Sequence, residues 1–253
     1  MTWLLDCDGV VWLADQPIAG AAEAIARLRD TGEKVAFLTN NSWPRVDEHV
    51  AKLGAMGVKA SPEEVVTSSM AAASLVSPGE KVLVLGGPGL KEELARRGAE
   101  VLEPGAKDSS SVESVVVGID LSFSYARLTA ATTALRSGGV RLIATNEDAT
   151  LPTAQGVVPG AGSVVAAVAT AGGVEPIVAG KPHEATARLV RERFTDVSMM
   201  VGDRPSTDGA FARQLGVRFG LVLTGVTAKG HGPLNPSPDL EADDLARLVS
   251  LAT

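Results

Sequence analysis

Four short segments of the 253-residue chain carry side chains whose types and spacing suit joint chemistry. In Asp6-Cys7-Asp8-Gly9-Val10 two carboxylates stand two residues apart, close enough to address one site, ahead of a glycine that permits a sharp turn. Thr39-Asn40-Asn41-Ser42 offers a hydroxyl and successive backbone N–H groups, a natural cradle for an anion. Gly180-Lys181-Pro182 leaves a lysine beyond an aliphatic run, and Gly202-Asp203-Arg204-Pro205-Ser206-Thr207-Asp208 places two more carboxylates after another. Each segment alone has an ordinary explanation. Asp8-Gly9 is a turn with solvated acids, Ser42 ahead of Pro44 a helix cap, Lys181 a surface residue, and Asp208 a helix-start carboxylate.

Together they make a stronger case. Asp6, Asp8 and Asp203 in one place repel one another unless a divalent cation sits among them. A hard cation held by two carboxylates, a backbone carbonyl and waters describes a magnesium site. Thr39 and Lys181 then supply a donor and a positive charge to a phosphate facing that metal.

The elements that must position these residues follow from the hydrophobic pattern. Apolar runs of strand length at 3–7, 35–39, 65–66, 81–85, 114–119, 141–145, 176–179, 199–201 and 219–223 alternate with segments of helical period. Those segments lie at 21–31, 46–56, 69–76, up to 97, 125–136, 163–171, 183–194, 208–215 and 240–251. Strand-helix alternation is the pattern of a parallel α/β sheet, and such sheets bind ligands beyond the carboxyl ends of their strands. All four segments stand at such ends. A break at Ser77-Pro78-Gly79 divides the chain. Residues 1–78 and 176–253 form one discontinuous unit, and residues 79–175 a second α/β unit inserted into it. The stretch 230–238, with Pro233, Pro236 and Pro238, is a loop.

With 45% hydrophobic residues the chain can bury a substantial core, which excludes disorder. A formal charge of -7 and the lack of a basic run argue against a nucleic acid polymer and favour a small phosphorylated metabolite. One cysteine, Cys7, permits no intrachain disulfide and points to a reducing compartment. No basic leader precedes the first apolar run, and no stretch reaches the ~20 apolar residues of a membrane span. The expected location is cytoplasmic.

Other features carry less. Gly86-Gly87-Pro88-Gly89 invites a nucleotide-loop reading but lacks both the dinucleotide fingerprint and a Gly-Lys-Ser/Thr ending. Gly160-Ala161-Gly162 reads as a helix entry, and Ser109-Ser110-Ser111 as a loop. His49 reads as a helix face and His231 as a loop residue, and His183 is a loop residue near Lys181; none pairs at metal spacing. Cys7 points away from its flanking acids into the core. Asn146 and Asp148 either meet substrate or form a turn with local hydrogen bonds.

The order and spacing of these segments resemble the haloacid dehalogenase-like hydrolase superfamily across the whole chain. More narrowly, the chain is similar to the NagD / 4-nitrophenylphosphatase branch, which includes pyridoxal and phosphoglycolate phosphatases. That likeness rests on Asp8-Gly9-Val10-Val11-Trp12, Thr39-Asn40-Asn41-Ser42, Ala144-Thr145-Asn146-x-Asp148, Pro159-Gly160-x-Gly162 and Gly180-Lys181-Pro182. The resemblance implies a Rossmann-like parallel-sheet core with an inserted α/β cap domain over residues 79–175. It implies a magnesium-dependent phosphatase in which Asp6 is the nucleophile and Asp8 the general acid and base. Asp6, the Asp8 carbonyl and Asp203 would hold Mg2+, with Asp208 supporting that shell. Thr39, Asn40 and Asn41 would bind phosphate, and Lys181 would balance charge between phosphate and carboxylates. Some relatives suggest a homodimer through the cap. A dehalogenase fits less well because Asp8 is present. The alternative is a phosphotransferase, or a phosphoacceptor or binding module, without net hydrolysis.

Overall fold

The computed structural model describes residues 1–105, 111–153 and 156–252. Ser109 and Ser110 of the serine run lie outside them.

The first sheet has six parallel strands, in the spatial order β15 (Leu240–Ala242), β14 (Arg218–Val222), β13 (Val197–Gly202), β1 (Thr2–Asp6), β4 (Lys34–Thr39) and β5 (Val65–Thr67). From β1 the chain runs outward one way through β4 and β5, and later the other way through β13, β14 and β15. The order therefore reverses between β1 and β13, which makes the crevice beyond their carboxyl ends the expected ligand site. Successive strand residues face opposite sides. Trp3 and Leu5 bury against α1 (Ala21–Asp30), α2 (Val46–Ala55) and α9 (Leu245–Ala252). Leu4, Met200 and Phe219 bury on the other face against α7 (Glu184–Arg193) and α8 (Ala210–Leu215). Each such aliphatic side chain contributes about 1.5–3 kcal/mol, enough to fix the register that carries Asp6 to the strand end.

The second sheet has five parallel strands, in the order β12 (Ile177–Val178), β9 (Arg141–Ala144), β8 (Ser114–Val117), β6 (Lys81–Leu85) and β7 (Glu100–Leu102). One face packs on α5 (Tyr125–Arg136) and α6 (Ala161–Gly172), the other on α3 (Ser68–Ala73) and α4 (Pro88–Arg96). Helix α7 serves both sheets, with Ala185 buried in the core of the second and Ala187 and Val190 in that of the first. The two sheets thus share a packed helical layer. Two hairpins complete the structure: β2 (Trp12–Leu13) with β3 (Gln16–Pro17), and β10 (Thr150–Thr153) with β11 (Gly156–Pro159). No helix among the described residues is long and apolar enough to cross a membrane.

Two runs pair or fold differently from the sequence reading. The run at 176–179, read as the return to the first unit, places β12 beside β9 at the edge of the second sheet. The stretch 240–251, read as one helix, begins with the edge strand β15 and becomes α9 only at Leu245. Gly86-Gly87-Pro88-Gly89 does open a helix, but its glycines face protein. A Cβ on Gly87 would lie 2.6 Å from the Trp43 ring and one on Gly89 1.9 Å from the Pro44 carbonyl oxygen. The segment is bare because the Trp43-Pro44-Arg45 chain passes over it.

Candidate active site

Asp6, Thr39, Lys181 and Asp203 all end up at one edge of the first sheet, because β1, β4 and β13 are adjacent and parallel. Lys181 arrives by another route, on the short loop between β12 and α7. A single π-helical turn, Pro205–Gly209, follows Asp203 and swings Asp208 back over the strand end, an irregularity frequent at functional sites. A Cβ on Gly202 would lie 2.1 Å from Asp208 Oδ2, so the close return requires glycine there.

The Lys181 ammonium donates to Asp208 Oδ1 at 2.7 Å and to Asp6 Oδ1 at 2.8 Å. Oxygens of Asp6, Asp203 and Asp208 lie within 4.8 Å of one another. Burial favours the neutral form of each acid, and here it pushes Asp6 well above the usual carboxylate range. Lys181 opposes that shift, while Asp208 and Asp203 reinforce it. Asp203 is pushed up to about 6 by burial and by Asp208. Burial would lower the Lys181 pKa, but Asp208 and Asp6 override it and hold the amine above its ordinary value. The two ends of the ion pair shift for opposite reasons. One ammonium faces three carboxylates, so the lysine is over-satisfied and the acids under-compensated.

A divalent cation cancels that excess. The donor set is all oxygen, which suits Mg2+ or Ca2+ and not a soft metal. Asp6 and Asp203 each keep capacity for it. Asp208 is committed on both sides, to Lys181 and, through Oδ2, to the Arg204 N–H at 3.1 Å, which fits a supporting role.

Asp8 stands apart from the cluster. Its Oδ1 accepts from Trp12 Nε1 at 2.8 Å, and Lys52 lies 4.7 Å above that indole ring. Burial raises the Asp8 pKa, partly countered by the Trp12 bond. Its side chain is thereby oriented by Trp12 and is not among the carboxylates gathered around Lys181. Gly9, at φ +83°, makes the turn, and a Cβ there would lie 2.6 Å from the Asp203 carboxylate. The loop after β14 closes the opposite side. Val226 N–H donates to Asp203 Oδ2, Thr224 Oγ1 donates to the Gly9 carbonyl at 2.5 Å, and a Cβ on Gly225 would lie 1.9 Å from Asp203 Oδ2.

On the phosphate side, Thr39 Oγ1 accepts from the Asn41 N–H at 3.1 Å, which leaves its proton free to donate outward. Asn40 is a structural joint. Its Oδ1 accepts from Lys181 N at 2.9 Å, and its Nδ2 donates to the Lys181 carbonyl and to Asp148 Oδ2, both at 3.1 Å. Asn146 Nδ2 donates to the Asn40 carbonyl at 2.7 Å, and its Oδ1 accepts from Asp148 N at 3.0 Å. Asp148 Oδ1 accepts from Arg204 Nη1 at 2.8 Å. Asn146 and Asp148 do line the cavity, yet their polar groups are engaged by protein.

The cavity, about 70 Å³, is bounded by the residues above and by Leu13, Ile119, Leu151 and Val226. No aromatic side chain lines it among the described residues. His49 is on a face of α2, as read, but that face is buried, and its Nε2 donates to the Asn41 carbonyl at 3.3 Å. His183 pairs with Glu147 at 3.0 Å on the exposed rim, and His231 pairs with Glu241. Cys7 is buried in the core. Sequence reasoning gave no role to Arg204, Lys52 or the Thr224-Gly225-Val226 loop. The last stands at another strand end, and that position was the available signal.

A parallel α/β sheet with a carboxylate–lysine cluster at its switch point suits phosphoryl chemistry beside an oxygen-ligated cation. A profile of the haloacid dehalogenase-like hydrolase family matches residues 3–100, and a HAD-hydrolase-like profile matches residues 178–248. Chronophin of Rattus norvegicus is 39% identical over 242 residues, which span 89% of this chain and 77% of that protein. The glycerol phosphate phosphatase of Mycobacterium tuberculosis, solved in complex with magnesium, aligns with a TM-score of 0.87 at 36% identity, over 98% of this chain and 75% of its own. The 4-nitrophenylphosphatase of Thermotoga maritima aligns at 0.87 and 32% identity, over 98% and 96%. This chain belongs to the haloacid dehalogenase-like hydrolase family, in its NagD-like branch. Within that family it is a phosphoric monoester hydrolase.

Proposed function

We propose that the chain hydrolyses small-molecule phosphomonoesters in two steps, through a phosphoryl group carried on Asp6. The observation that carries this reading is the gathering of Asp6, Asp203 and Asp208 around Lys181 beside an independently held acid, Asp8. Bound magnesium, held by Asp6, Asp203 and the Asp8 carbonyl with Asp208 in support, would neutralise the carboxylates and the phosphoryl oxygens.

In the first step an Asp6 carboxylate oxygen forms a bond to phosphorus while the ester P–O bond breaks, and Asp8 delivers its proton to the leaving oxygen. The raised pKa of Asp8 suits a donor. In the second step Asp8 takes a proton from water as that water attacks phosphorus and the Asp6–phosphorus bond breaks. Lys181, Thr39 and the Asn40–Asn41 backbone hold the phosphoryl oxygens, so that positioning and charge supply most of the rate. Splitting hydrolysis in this way is ordinary nucleophilic catalysis.

The second sheet, residues 79–175 together with β12, acts as a cap that excludes water and contacts the leaving group, with the β10–β11 hairpin contributing Leu151 to the cavity wall. Leu13, Ile119, Leu151 and Val226 in the cavity wall, with no aromatic among the described lining residues, favour non-aromatic leaving groups, since rings find nothing to stack on. Leu121 and Tyr125, 75% and 86% exposed on the second sheet's side, support a homodimer through that unit, which light scattering tests. The single buried cysteine accords with a cytoplasmic location.

Phosphate release from 4-nitrophenyl phosphate is expected to require Mg2+ and to vanish in Asp6→Asn. Turnover by that variant at the wild-type rate would refute the nucleophile assignment.

A further inference from the structure

Asp148 sits on the loop after β9, in the second sheet, but both of its carboxylate oxygens bond to the first. Oδ1 accepts from Arg204, on the loop after β13, and Oδ2 from Asn40, on the loop after β4. Neither partner stops there. Asn40 grips the Lys181 backbone from both sides, and the Arg204 N–H donates to Asp208 Oδ2. One carboxylate therefore ends two bond chains, one leading to the phosphate loop and the lysine, the other to the carboxylate that flanks the cation site. The Asp148–Arg204 pair is half-buried and charge-assisted, and charge-assisted bonds hold geometry more firmly than neutral ones.

The loop that presents Asp148 is itself pinned. The Asp148 carbonyl accepts from Gly162 N at 2.9 Å, and the Ala149 carbonyl from Gly160 N and Ser163 Oγ, both at 2.8 Å. A Cβ on Gly160 would lie 2.2 Å from the Asp148 carbonyl oxygen, and one on Gly162 2.3 Å from that of Glu147. These two glycines let the start of α6 lie directly against the loop. The Gly160-Ala161-Gly162 segment thus has a structural purpose, which is to hold Asp148 in place.

We propose that Asp148 is a positioning residue that clamps Asn40 and Arg204, and so sets the spacing between the phosphate loop and the Asp203–Asp208 loop. This rests on the phosphatase reading above. The clamp acts on parts of the site used for every substrate, so its loss costs the same factor whatever the leaving group. A residue that touched the leaving group would behave otherwise, with a loss that varies from ester to ester.

The test uses Asp148→Asn and Arg204→Gln, each assayed on 4-nitrophenyl phosphate and on glycerol phosphate with saturating Mg2+. Amide hydrogen exchange of residues 40–42 and 203–208 is followed in the metal-free proteins. The expected result is a fall in kcat/KM of about 10- to 100-fold, mostly in kcat and by the same factor on both esters, as for a misplacement of about an ångström. The Asp148→Asn/Arg204→Gln double variant falls no further than the worse single variant, because the two residues act as a unit. Exchange at the Arg204 amide quickens about 10-fold or more as its segment loosens. A loss that differs by more than about 10-fold between the esters, multiplicative losses in the double variant, or unchanged exchange overturns the proposal. If wild-type protein turned over neither ester, the phosphatase reading would fall, while the exchange arm would still decide the clamp.

Discussion

Replacing Lys181 by methionine removes the ammonium while keeping an unbranched side chain of similar length. The lysine and Asp208 side chains are 3% and 2% exposed, and Asp6 is 14% exposed, so water does little to replace what is lost. Two charge-assisted hydrogen bonds disappear, at about 1.5–3 kcal/mol each. Counted instead as breaking a buried ion pair by removing one partner, the cost is about 3–5 kcal/mol. Both routes describe the same energy and agree on a loss of roughly 4 kcal/mol. For a chain of this size, about 2–4 °C per kcal/mol gives a fall in Tm of ~10 °C. Thermal unfolding followed by circular dichroism in chelator measures it. Added Mg2+ should narrow the gap between wild type and variant, because the cation supplies part of the missing charge to Asp6 and Asp203. Turnover should fall by about 10²–10³, the usual cost of losing one preorganised charge donor. A variant that melts within about 2 °C of wild type in chelator, or a gap that widens with Mg2+, would refute the reasoning.

Three further outcomes follow from single contacts. Burial lowers the His49 pKa to about 4 from its ordinary 6.5, so above pH 6.5 the residue is neutral folded or unfolded and adds no pH dependence. Below that, the unfolded chain takes a proton that the folded one refuses, and stability drains away as pH falls toward 4. Between pH 7 and pH 4.5 wild type should therefore lose about 2 kcal/mol more than His49→Gln, as measured by urea unfolding; equal losses would contradict the burial argument. Gly225→Ala places a methyl where the Asp203 carboxylate lies, so Mg2+ affinity by calorimetry should drop about 10-fold or more while the fold persists. Trp12→Phe deletes the bond that aims Asp8, so kcat should fall about 10-fold with Mg2+ affinity unchanged, since that side chain is outside the cation cluster.

The parts of the site that strand ends deliver were legible from sequence. Asp6, Thr39 and Asp203 follow apolar runs whose adjacency is a consequence of parallel α/β order, and Lys181 could be placed by its own short run. Contacts that depend on tertiary packing were not. Asp148 and Arg204 are 56 residues apart, and nothing local marks either as the other's partner. Strand β15 escaped because three residues, with Glu241 exposed between Leu240 and Ala242, merge into the Leu- and Ala-rich helix after them. The β10–β11 hairpin escaped because all of β11 is exposed, so no buried alternation betrays it. The membership of β12 in the second sheet is likewise a matter of pairing, which a two-residue strand does not announce. His49, read as a helix face, lies on the buried face of α2 with Val46 and Leu53, and its contact with the Asn41 carbonyl is a tertiary one that the sequence does not announce.

Rapid acid quench of the enzyme turning over a phosphate ester with Mg2+, followed by peptide mass mapping, tests the central claim most directly. The account predicts one added phosphoryl group, on the peptide carrying Asp6, absent in the presence of chelator. Label on any other residue, or steady turnover with no labelled peptide at all, would contradict it.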